Sequence, residues 1–217
     1  MQAKRFTSRQ YSRRRFLGHA VAVGAALTFS VPVMTASIGE TMGEVLVNGM
    51  RAARNTVIRI GDRIETAAGA SLVFRIGNDA FLVRQMSTVM LEASSGGKAL
   101  LSGLRVVTGA VLAVFGPGMR SVMTGLVTVA IRGSGIYVEA TPERSYFCTC
   151  YGNVGLSAAA GAKKDVMTTN HSAHYIHAKA DTGKSIVAAP MLNHSNQELA
   201  MLEKLAGRKS RLKAEPN

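Results

Sequence analysis

No aspartate or glutamate precedes Glu40, and no charged side chain of either sign stands between Leu17 and Gly39. The uncharged stretch is rich in Gly, Ala, Val and Thr rather than Leu, whereas a permanent membrane span usually takes ~20 strongly apolar residues. Carboxylates are scarce everywhere, 13 against 26 Lys and Arg in 217 residues. Among so few, no pair stands out as the acid and base that glycoside hydrolysis requires. A phosphate-binding loop is missing too: Asp181-Thr182-Gly183-Lys184-Ser185 has the end of one, but Ala178 occupies the place of the required first glycine. Cysteine is limited to Cys148 and Cys150. No family signature marks either as the nucleophile of a cysteine hydrolase, and we expect no enzyme.

What the N-terminus does contain is Ser12-Arg13-Arg14-Arg15-Phe16-Leu17-Gly18. This has the layout of a twin-arginine export signal, with Ser12, Arg13, Arg14, Phe16 and Leu17 at the matching positions and the mild apolar stretch as its h-region. The translocase of that route is the expected partner during export. Thr35-Ala36-Ser37 offers a cleavage site before Ile38, though a poor copy of Ala-x-Ala; an uncleaved anchor at residues 1–37, holding the body at the inner membrane, is the alternative. The expected location is the periplasm, free or tethered. Residues 1–37 carry six basic and no acidic side chains, so beyond them the charge falls from +13 to about +7. The remaining ~180 residues suit one domain with a real core. Nucleic acid is not an expected partner. The basic cluster Lys204, Arg208, Lys209, Arg211 and Lys213 is either a site of attraction to anionic phospholipid or a solvated tail.

From Gly43 to about Ser157 the chain is a succession of β-type segments divided by Gly, Asn and Asp. Examples are Leu72–Ile76, Phe81–Val83, Val111–Phe115, Val127–Ile131 and Ile136–Glu139, with turns at Gly77-Asn78-Asp79 and Gly116-Pro117-Gly118. This pattern predicts a mainly β fold, an antiparallel sandwich or a rolled or solenoid-like sheet. One helix is expected, at about 195–206. Ser195 and Glu198 form a Ser-x-x-Glu capping box, Leu199, Leu202 and Leu205 make an apolar stripe, and Gly207 ends it. Residues 94–98 and 158–164 read as loops.

The order of several segments resembles the FecR-type periplasmic domain. They are Gly61-Asp62-Arg63-Ile64-Glu65-Thr66-Ala67-Ala68-Gly69-Ala70, Ile76-Gly77-Asn78-Asp79, Leu104-Arg105-Val106-Val107-Thr108-Gly109-Ala110-Val111 and Val127 to Val138 with its Ile131-Arg132-Gly133-Ser134 centre. The resemblance covers roughly residues 43–157 and leaves 158–217 as a C-terminal extension. It implies an all-β domain outside the inner membrane, of the kind that takes part in the regulation of iron transport by relaying a receptor signal to a sigma factor. The dozen residues ahead of the arginines are too few for the anti-sigma segment of those proteins. An envelope protein partner and a scaffold or regulatory role remain the alternative to small-ligand sensing.

Cys148 and Cys150 lie in Ser145-Tyr146-Phe147-Cys148-Thr149-Cys150-Tyr151, which reads as a strand. Their side chains then share a face with Cα atoms about two rises of ~3.3 Å apart, a poor geometry for a disulfide. The histidines beyond the signal all follow: His171, His174, His177 and His194. Two thiols with two imidazoles suit one zinc, iron or copper ion. The expected ligands are Cys148, Cys150, His171 and His194, with His174 and His177 as substitutes. Such a site requires the C-terminal extension to fold back across the cysteine strand. The bland alternatives are buried cysteines with solvated histidines, or a redox-active dithiol.

Overall fold

The computed structural model describes residues 35–53, 55–94, 100–181 and 184–212. The export signal at Ser12–Leu17 lies outside them. Fifteen strands and one helix follow in chain order: β1 (Thr35–Met42), β2 (Val45–Val47), β3 (Met50–Arg51), β4 (Ile58–Arg59), β5 (Arg63–Thr66), β6 (Ser71–Ile76), β7 (Asp79–Val83), β8 (Thr88–Ala93), β9 (Leu101–Val114), β10 (Met119–Met123), β11 (Val127–Ala140), β12 (Arg144–Ala158), β13 (Lys163–Thr168), β14 (Ser172–Asp181), β15 (Lys184–Ala189) and α1 (Asn196–Leu205).

Three strands of 14 or 15 residues organise the rest, because each changes partners halfway along. Residues 101–108 of β9 pair with β8, 111–114 with β7 and 109–114 with β11. The first half of β11 pairs with β10 and its second half with β9, while β12 runs beside both halves and exchanges β14 for β13. One continuous sheet thus rolls into two layers without closing into a barrel. The outer layer runs β3, β2, β5, β8, β9, β10, β11, β12, β13; the inner layer runs β4, β1, β6, β7, β9, β11, β12, β14, β15.

The bend is written in small residues. The β11–β12 register slips between Arg132 and Ile136. Gly152 there has φ of 99°, and a Cβ on it would stand 2.4 Å from the Ser134 hydroxyl. A Cβ on Gly135 would stand 2.4 Å from the Tyr151 ring. No other residue allows the strands to approach so closely there.

Strand alternation gives the inner layer two apolar faces. One packs on the outer layer: Phe74, Phe81, Phe115, Val138 and Phe147 meet Ile64, Val89, Leu104, Val129 and Leu156. Phe81 sits between Phe74, stacked at 4.9 Å, and Phe115, edge-on at 5.7 Å, arrangements each worth ~0.5–1.5 kcal/mol beyond area burial. The other face carries Val73, Leu82, Leu112, Val114, Tyr137, Tyr146, Cys148 and Cys150, and is covered by Leu199 and Leu202 of α1 with Ala206 and Leu212.

The fold is mainly β with one helix, as the patterning predicts, and α1 has both halves of the Ser195–Glu198 capping box. Four features differ from the sequence reading. The sheet is mixed, since β9 and β10 run parallel. β1 starts at Thr35, so a boundary after Ser37 falls within a strand. The sheet does not stop near residue 157: β13 to β15 belong to it, and the supposed loop at 158–164 is a short turn into β13. Two cations of the basic cluster serve docking, because Arg208 pairs with the buried Glu203 and Arg211 lies over the Tyr151 ring, 5.3 Å from its centre.

Candidate metal centre

Cys148 stands on β12 directly opposite Tyr137 of β11 and Ala173 of β14, on the face that α1 covers. Two residues on, Cys150 lies where the β11–β12 register slips, and its thiol points to the same side. Both cysteines are fully buried and unbridged. His171 occupies the turn from β13 to β14 with a positive φ of 34°. Its amide donates to the Cys150 carbonyl at 2.9 Å, which fixes the turn against the cysteine strand. His194 comes from the connection between β15 and α1. There Asn193, also left-handed at 59°, donates to Glu139 at 2.7 Å, and its carbonyl accepts from Arg84 at 2.8 Å.

Four donor atoms converge from these elements. The thiol sulfurs of Cys148 and Cys150 and one ring nitrogen each of His171 and His194 all lie within 4.8 Å of one another. Cys148 Sγ is 3.6 Å from His171 Nδ1, which is 3.3 Å from His194 Nε2. The outward ring nitrogens have acceptors. His194 Nδ1 lies 2.6 Å from the Leu192 carbonyl oxygen, and His171 Nε2 lies 2.8 Å from Asn196 Oδ1. A carbonyl oxygen only accepts, so each outward nitrogen carries the proton. That leaves the inward nitrogens, His171 Nδ1 and His194 Nε2, as the ones that can give up a proton and offer a lone pair, the state in which imidazole binds a metal. The His194 ring is further held by stacking on Tyr137, 4.6 Å between centres and 21° between planes.

No protein-family model matches this chain, and no curated protein does. Two crystal structures of a "putative anti-sigma factor" from Parabacteroides distasonis ATCC 8503 are similar to it. Their TM-scores are 0.47 and 0.48, each at 10% identity. They cover 67% and 66% of this chain, and 74% and 73% of their own.

The thiols differ in acidity. The neighbouring Cys150 thiol, helped by the two imidazoles and opposed by burial, holds Cys148 well below the usual thiol range. Burial, reinforced by Cys148, pushes Cys150 well above it. Cys148 is the ready thiolate, and Cys150 requires a cation beside it to lose its proton.

The two substitute histidines lie elsewhere. His174 faces the core between the layers, since it is paired with Phe147 and buried, and Nδ1 has no hydrogen-bond partner among the described residues. Burial, with the nearby Lys164 charge, lowers its pKa. His177 shares the cysteine face but lies opposite Arg144, four residues along β12 from Cys148 and so ~13 Å away. Sequence reasoning missed Asn196, whose position just after a helix cap gives no sign of contact with His171. It also missed Tyr137, although strand alternation places Tyr146 and Cys148 on one face and pairing brings Tyr137 to it.

Proposed function

We propose that this chain is an exported protein of the cell envelope that binds or senses one transition-metal ion, iron, zinc or copper, through Cys148, Cys150, His171 and His194. One observation carries the reading. A tetrahedral ion with bonds of ~2.05 Å to nitrogen and ~2.3 Å to sulfur separates its two nitrogens by about 3.3 Å and a nitrogen from a sulfur by about 3.6 Å. The two nitrogens here are 3.3 Å apart and Cys148 Sγ is 3.6 Å from His171 Nδ1, with all four donors within 4.8 Å of one another. With four protein donors the ion keeps no open position, which suits a structural, sensing or electron-transfer role and argues against catalysis at the metal. Buried thiolates are formed at no small cost unless a cation compensates them.

The export route belongs to the same proposal. A twin-arginine signal sends out a folded chain, and folding in a reducing compartment keeps both thiols available while the ion is taken up. The resemblance to FecR-type domains makes an envelope protein the natural recipient of the signal. Among the described residues no helix is long and apolar enough to cross a membrane.

The test is elemental mass spectrometry on chain purified anaerobically without chelators, beside the Cys148→Ser/Cys150→Ser double variant. About one metal per chain, lost in the variant, is expected. Two free thiols and no metal in a folded wild-type chain would instead favour a β scaffold that meets its partner without an ion.

A further inference from the structure

The four donors do not come from one rigid surface. Cys148 and Cys150 are on β12 and His171 is anchored to that strand through the Cys150 carbonyl. His194 belongs to the connection that leads into α1, and Asn196, which touches His171 Nε2, is the first residue of that helix. Asn196 is buried, and its side chain reaches back from α1 to a ligand held by the sheet. The far end of the helix is fastened independently, by Tyr151 to Glu203, by Arg208 to Glu203 at 2.5 Å, and by Arg208 to the Asn78 carbonyl.

We propose that Asn196 is a positioning residue of the metal centre, and that through it and His194 the first turn of α1 reports whether the centre is filled. This rests on the metal-binding reading above. Asn196 holds the His171 ring in the tautomer that directs Nδ1 inward, the task that outer hydrogen-bond acceptors perform at metal-bound imidazoles. Since His194 and Asn196 reach the site only when residues 190–199 lie against the inner layer, the ion binds the seated form in preference to the lifted one. It therefore stabilises the seated form by mass action, and seating raises affinity by the same factor. A ten-residue helix has little stability of its own in water, so lifting its first turn also unwinds it. Leu82, Leu112 and Tyr137 lie on the face thereby uncovered. The C-terminal clasp at Glu203 and Arg208 stays closed, which confines the response to the near half.

Cobalt(II) is the probe, added anaerobically to the full chain and followed by its thiolate charge-transfer and d–d absorption. Affinity is expected to fall 10- to 100-fold in Asn196→Leu and to recover in Asn196→Asp, whose carboxylate accepts the same proton. Ser195→Ala removes the helix cap without touching His171 and is expected to change affinity less than threefold. Hydrogen exchange is expected to slow at least tenfold in residues 190–199 of the wild type on cobalt addition, with little change at 203–212, and the contrast is expected to weaken in Asn196→Leu. Equal cobalt affinity in wild type and Asn196→Leu would overturn the proposal. So would equal losses in Asn196→Leu and Ser195→Ala, or exchange in 190–199 that ignores cobalt. A wild type that takes up neither cobalt nor zinc defeats the metal-binding reading itself.

Discussion

At the scale of single residues, the bend of the sheet rests on an absence of atoms. Gly135 leaves room for the Tyr151 ring, and that ring cannot step aside, since its hydroxyl donates to Glu203 and Arg211 covers its face. Gly135→Ala is expected to cost ~2 kcal/mol, within the range of overpacked cores, read as a lower urea midpoint at unchanged slope. The cysteines illustrate how far residue patterns reach. Alternation along β12 places the Cys148 and Cys150 thiols on one face, and the structure keeps them there. The register slip beside Cys150 brings Tyr151, the next residue, to that face as well, and a slip of this kind leaves no mark in the apolar pattern. Choosing among four histidines is a different matter. His174 and His171 are three residues apart in similar polar surroundings, and only the pairing of His174 with Phe147 turns it into the core.

Among the elements, α1 is the one most plainly written in the sequence. Its capping box, its apolar stripe and its end are all local features, so they survive without knowledge of the tertiary structure. Ser195→Ala removes the acceptor for the Glu198 amide and is expected to destabilise the protein by ~1 kcal/mol, measured as the shift in chemical denaturation. Strands β13 to β15 were less legible. They carry many polar residues, with three histidine and lysine side chains in β14 alone, because β13 and β15 are sheet edges where one side of the strand meets solvent. Pairing with a neighbour rather than β propensity makes them strands, across 20 or more residues for β14 and within hairpins for β13 and β15. Long-range pairing is also what makes the cysteine strand the neighbour of His171. The same limit hid β9 and β11, each of which reads as two short strands around glycines, and β12, which reads as one strand ending at Gly152.

For the whole molecule, alkaline pH is the informative stress. Burial, followed by the bonds to Glu139 and Glu203, raises the pKa values of Tyr137 and Tyr151 well above their ordinary value, and burial does the same for Tyr146. In an unfolded chain these phenols ionise near pH 10, before they do so in the folded one. Their contribution is therefore complete below about pH 10 and is lost as the pH climbs from there toward the folded-state values. Urea midpoints at pH 8, 9.5 and 11 are expected to drop most at the last step. Tyr151→Phe is expected to start lower at pH 8 and to decline less steeply. The three strands common to both layers carry a consequence of another kind, one of timing. Neither layer is complete when β12 has been made through Ala158, for the outer one waits for β13 at Thr168 and the inner one for β15 at Ala189. At ~5–20 residues per second of synthesis, the ribosome works for on the order of ten seconds or longer before the first complete layer exists. Throughout that interval the early strands can pair with one another, as β6 does with β7, but the strands that complete their layers are missing, and the nascent chain depends on whatever shields the open edge.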